Sequence, residues 1–284
     1  MGHKPDLIAS YWTLAGNIAP FAGPGVSPWP FRARVEAAAR AGFTGFGQYY
    51  DDLMFNVDEL GLDEMAAILR GNGIRYFEIE SLLDWFTEGE RRTRSDAVRK
   101  DMLRAAEKLG AHQIKIAGAF EDGWPLASLI EPYARLCDQA ADAGTRISLE
   151  ILPFSNIRTI AEGLAVVGDT GIENGGLLFD VWHMVRGEIP FEEIAHVPPQ
   201  FLAAVELDDG PLEPAGSLLQ ETIDCRELCG EGDFDLPSFV ASIQSTGYQG
   251  PYGVEILSHA HRARSLEDSA RLAFESAIRQ FAEH

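Results

Sequence analysis

Short apolar runs alternate along this chain with longer stretches in which apolar residues recur every three or four positions. The runs are Asp6 to Trp12, Phe43 to Tyr50, Ile74 to Leu82, Gln113 to Ala117, Ile147 to Leu152, Leu177 to Val181, Phe201 to Leu207 and Tyr252 to Leu257. Their length and their content of β-branched and aromatic residues predict strands. The intervening periodicity predicts helices over residues 32–41, 57–71, 93–109, 126–143, 156–167, 190–195, 236–246 and 265–283. Strand and helix in regular alternation predict a parallel sheet, and a count of eight favours closure into a (β/α)8 TIM barrel. An open, doubly wound sheet is the alternative, but no G-x-G-x-x-G follows the first strand to support a dinucleotide site. No linker or composition shift divides the chain, so residues 1–284 are expected to form one α/β barrel domain. Two Gly/Pro-rich intervals, Asn17 to Pro30 and Asp208 to Asp235, read as loops over a pocket.

Composition narrows the partners. At 46% hydrophobic residues the chain can bury a substantial core, and its net charge of −21 should repel phosphate backbones, so nucleic acid is a disfavoured partner. No leader-like start and no apolar run of membrane-spanning length occurs, which predicts a cytoplasmic protein with no membrane partner. Cys137, Cys225 and Cys229 match no common zinc spacing and read as reduced thiols.

In such a barrel the useful residues lie at the C-terminal ends of the strands. Those ends are acidic here: Glu78 and Glu80 on strand three, Glu150 on five, Asp180 on six, Glu206 with Asp208 and Asp209 on seven, and Glu255 on eight. Glu150, Asp180 and Glu255 each sit inside apolar sequence, where a charge is costly unless paired or bound to a cation. They are therefore expected to ligate a metal, with Glu206 open. An oxygen-rich set suits Mg²⁺ or Mn²⁺, and a nearby imidazole would admit Co²⁺ or Zn²⁺. Lys115 and Arg226 could hold a carboxylate, hydroxyl or phosphate, while Trp12, Trp182 and Phe154 could wall a sugar ring. His259 and His261 read as parts of an exposed loop beyond strand eight.

The segments SLEILPF, LLFDVWHMVRG, ELDD with its long following loop, and GEGDFDLPSFVASIQSTGYQGPYGVEIL resemble the second half of the sugar phosphate isomerase/epimerase superfamily, the xylose-isomerase-like TIM barrels. The resemblance implies one divalent metal held by residues of strands five to eight, with Glu150, Asp180 and Glu255 matching three of the ligands. It further implies that Glu150 and Glu255 exchange a substrate proton, that His183 and Arg226 contact substrate, and that the chain can form a homo-oligomer. Where many relatives carry His on strand seven this chain has Glu206. Either Glu206 replaces it as a ligand or the site is incomplete, which would leave a non-catalytic sugar-binding barrel.

The implied chemistry is isomerisation or epimerisation of a keto-sugar or polyol through an enediolate that the metal stabilises. The alternative outcome is β-elimination from a 3-keto-sugar, an inosose or a cyclic keto-acid, making a lyase or dehydratase. A DNA-repair endonuclease is a distant relative that the charge argues against.

Overall fold

The computed structural model describes residues 4–168, 174–214 and 216–281. The last residues of the expected closing helix, 282 and 283, lie outside them. Eight strands are present: β1 (Leu7–Ala9), β2 (Gly45–Tyr49), β3 (Tyr76–Leu82), β4 (Ala111–Ala117), β5 (Arg146–Glu150), β6 (Gly175–Asp180), β7 (Leu202–Leu207) and β8 (Tyr252–Val254). They pair in parallel and in sequence order into a closed barrel, β8 meeting β1 with Leu7 opposite Tyr252 and Ala9 opposite Val254. The open-sheet alternative is thereby excluded.

Alternation along each strand builds two environments. Phe77, Ile79, Ile114, Ile116, Ile147 and Leu149 belong to the apolar core. Their neighbours Glu78, Glu80, Gln113, Lys115 and Ser148 are also buried, yet they bond one another between adjacent strands. A parallel strand covered on its outer face therefore reads as near-continuous apolar sequence with polar insertions.

Four expectations need correction. The first and last strands are shorter than predicted, because Thr13 cuts into their ladder: its hydroxyl donates to the Val254 carbonyl (2.7 Å) and accepts from the Ile256 N–H (2.8 Å). Trp12 consequently sits in a 3₁₀ turn, Tyr11–Leu14, and Glu255 lies just past β8. The helix expected over 57–71 is two helices, Tyr50–Leu60 and Leu62–Gly71, parted at Gly61, whose φ of +76° ends the first helix in a backbone conformation that other residues adopt at a cost. The shorter helix expected over 190–195 is a 3₁₀ turn, Phe191–His196, and the 208–235 interval carries a helix of its own, Leu218–Asp224.

Candidate active site

The C-terminal mouth of the barrel opens a cavity of about 410 Å³ whose lining includes Glu80, Glu150, His183, Arg226 and Glu255. Each strand delivers its acid for a local reason. Asp180 ends β6 and caps the next helix, Val181–Arg186, its Oδ1 accepting from the N–H groups of Trp182 (2.7 Å) and His183 (3.3 Å). That helical turn brings His183 back beside the carboxylates, with Nε2 3.3 Å from Glu150 Oε1 and 3.4 Å from Arg226 Nη2. Arg226 comes from the long loop after β7 and lies across the acids. Its Nη1 donates to Asp180 Oδ2 (2.7 Å) and to Asp208, and stands 3.3 Å from Glu255 Oε2. The loop that carries it is held by Asp209, which accepts from the N–H groups of Gly210 (2.8 Å), Gly230 (2.7 Å) and Phe234 (3.0 Å).

Below this layer lies Lys115. It is buried inside the barrel, and its Nζ pairs with Glu206, lies 2.9 Å from Glu78 and 3.4 Å from Glu80, and reaches Glu255 at 3.9 Å. β4 and β7 are not neighbours, so the Lys115–Glu206 contact passes through the interior. Ser10 donates to the same Glu206 oxygen at 2.9 Å.

Burial and crowding set the charges. Burial pushes Glu206 up to about 8, with Lys115 opposing the rise and Glu78 adding to it. Glu255 is driven well above the usual carboxylate range by burial and then by Glu206 and Glu80. Burial disfavours the charged Asp180, but the Arg226 guanidinium together with His183 and its N–H holds this carboxyl below its ordinary value. Lys115, likewise opposed by burial, is held well above the ordinary range by Glu206 and Glu78.

The expected site residues thus divide into two groups. Glu150, Glu255, His183, Arg226 and Trp12 meet at the cavity, and Asp180 and Glu206, though buried and not part of its lining, have ligand atoms within 4.8 Å of those of Glu255. Lys115 and Trp182 do not line the cavity. Lys115 is enclosed by its acids, and Trp182, fully buried, packs beneath the guanidinium groups of Arg226 (5.5 Å) and Arg186 (5.6 Å). His261 is not exposed: its Nε2 lies 3.0 Å from the Thr13 carbonyl oxygen, whereas His259 does stay on the surface. Glu80, named from sequence among the acids at the strand ends, also lines the cavity, whereas Tyr49, Phe21 and Phe120 were not singled out from sequence. The aromatic pair Phe21 and Phe120 stands in loops with no periodicity to mark it.

A divalent ion fits the residues present. Ligand atoms of Glu150, Asp180 and His183 lie within 4.8 Å of one another, as do those of Asp180, Glu206 and Glu255. Among the described residues, Glu78, Glu80, Asp180, Glu206, Asp208 and Glu255 share two permanent cations, Lys115 and Arg226, and Glu150 meets His183 beside them. Buried acids in such excess require further positive charge or protonation.

A family model described as a xylose isomerase-like TIM barrel matches residues 35–276. Over 248 residues the chain is 28% identical to a 3-dehydroshikimate dehydratase of Pseudomonas aeruginosa, a match covering 84% of this chain and 38% of that protein. The chain therefore spans well under half the length of that relative. An inosose isomerase of Bacillus licheniformis is 25% identical over 154 residues, 54% of each chain. Among solved structures, an IolI protein with a bound zinc atom superposes with a TM-score of 0.84 at 18% identity over 97% of both chains. A D-psicose 3-epimerase in the presence of D-fructose gives 0.73 at 17% identity over 96% of both. At these identities the structural likenesses speak for the fold alone.

Proposed function

The chain belongs to the xylose isomerase-like TIM barrel family, and from that premise we propose that it is a divalent-metal-dependent enzyme that removes the proton beside the carbonyl of a hydroxylated keto-compound, with isomerisation or epimerisation as the outcome. The observation that carries this reading is the excess of buried carboxylates over cations at the floor of a cavity open to solvent. Glu150, Asp180, Glu206 and Glu255 would hold the ion, and their oxygen donors favour Mn²⁺ or Mg²⁺, while His183 beside them is compatible with Zn²⁺ or Co²⁺. Such an ion supplies a Lewis acid that draws electron density from a carbonyl and its neighbouring hydroxyl.

The rest of the work falls to side chains. Glu150 and Glu255 enter the cavity from different strands, so one can take the proton and the other return it. Arg226 keeps Asp180 ionised and, with His183, is placed to orient substrate oxygens. Trp12 offers a flat wall. Lys115 acts from below by holding Glu206 in place.

Loss of water from the same deprotonated substrate is a second reading, favoured by the match to the dehydratase over more of this chain than to the inosose isomerase. Incubating Mn²⁺-loaded protein with keto-sugars, an inosose and 3-dehydroshikimate in D₂O separates the two. Deuterium uptake with unchanged formula is the expected result for the first reading, and loss of water for the second. Glu150→Gln should lower either rate by at least about a hundredfold. Full activity in that variant, or purified protein that takes up no Mn²⁺, would sink the proposal.

A further inference from the structure

Acids make up only part of the lining of the cavity. Pro20, Phe21, Phe120, Phe154, Leu219 and Leu257 line it with apolar side chains. Among the described residues six large hydrophobic side chains are exposed, and three of them, Phe21, Phe120 and Leu219, stand on this one rim. Clustered exposed apolar side chains around a concavity mark a binding surface rather than chance exposure.

Phe21 adds a second observation. It is 76% exposed and has a φ of +61°, a left-handed conformation unfavourable for a bulky residue. The root of its loop is fixed, with Tyr11 donating to the Gly25 carbonyl (2.6 Å), the Ser27 N–H to Asp52 (2.8 Å) and Arg34 to the Trp29 carbonyl (3.1 Å). A pinned loop thus holds an aromatic ring at the mouth in a conformation its own packing does not repay. Opposite, Phe120 and Phe154 pair at 5.9 Å and separate this cavity from a second one of about 490 Å³ that shares both rings.

We propose that the substrate is amphipathic: a hydroxylated keto-ring that meets the acid floor and bears an apolar, preferably aromatic, substituent lodged among Phe21, Phe120, Phe154 and Leu219. Polyol hydroxyls placed against these four side chains would lose their water and gain no hydrogen bond from them. A cavity of about 410 Å³ lies within the roughly 300–1,000 Å³ of pockets that take ligands larger than a bare ring. The inference rests on the floor being the reacting end.

The test is calorimetric titration of Mn²⁺-loaded protein with methyl and phenyl β-D-glucopyranoside, which lack the carbonyl and are not turned over. The phenyl compound should bind about tenfold tighter or more. The double variant Phe21→Ser, Phe120→Ser, altering two exposed side chains, should erase that advantage while Mn²⁺ uptake is unchanged. Equal affinities, or no binding of the phenyl compound, overturn the inference. So does a double variant that dissociates a dimer in light scattering with no change in phenyl preference, since the rim would then be a contact between copies of the chain. Mn²⁺ uptake on the same samples reports separately on the metal: a phenyl preference without uptake keeps the amphipathic substrate and removes the metal reading.

Discussion

The residues of this site differ in how they could be anticipated. Glu150, Asp180 and Glu255 stand out in sequence because an ionisable group inside an apolar run has few inexpensive fates. Lys115 is equally conspicuous as a residue, but its partners come from β3, β7 and the end of β8, and only the closed barrel brings Glu78, Glu206 and Glu255 to one amine. The same applies to His261. Its Nε2 bonds the Thr13 carbonyl, its Nδ1 is buried without a partner, and burial lowers its pKa to about 4. A proton on Nδ1 would be enclosed with no acceptor. Because the folded value lies below the unfolded value of about 6.5, the unfolded chain takes up the proton first as pH falls. The contribution is therefore complete above about pH 6.5 and is lost on descending towards pH 4, with a size on the order of 3 kcal/mol. Urea melts at pH 7 and pH 4.5 should show that His261→Gln loses less stability over this interval than the parent; an equal loss would count against the assignment.

At the scale of elements, the strands were legible and their ends were not. Buried parallel strands produce apolar runs that survive any detail of loop structure, which is why all eight could be placed from periodicity. The trimming of β1 and β8 by Thr13 depends on a hydroxyl meeting a strand more than two hundred residues away in sequence, a contact that no local pattern encodes. The loop after β7 is similar: its Gly and Pro content announces irregular backbone but not the single carboxylate that organises it. Asp209→Ala removes an acceptor from three backbone N–H groups and should cost about 3 kcal/mol. Hydrogen exchange should quicken over residues 208–235 while the barrel strands keep their protection, with weakened binding of any ligand that relies on Arg226. Uniform quickening across the barrel would instead make Asp209 a determinant of global stability.

For the molecule as a whole, an apolar shell encloses an ionic interior at one end of the barrel, within a chain already carrying a net charge of −21. If the floor holds a divalent ion, Mn²⁺ at a hundredfold excess over its dissociation constant should stabilise the fold by about 2.7 kcal/mol. Melting curves should then rise by about 5 °C, reverse with EDTA, and show no rise in Asp180→Asn. An identical melting temperature with and without the ion would place the compensating charge elsewhere. The buried amine shared by several acids also limits how such a sequence can change over time. Neutralising Lys115 strands Glu206 and its neighbours, and neutralising Glu206 alters the charge Lys115 was matched to, so each single step passes through a less stable intermediate. Inheritance at this centre is therefore coupled, and β4 and β7, which never touch as strands, are bound to diverge in concert.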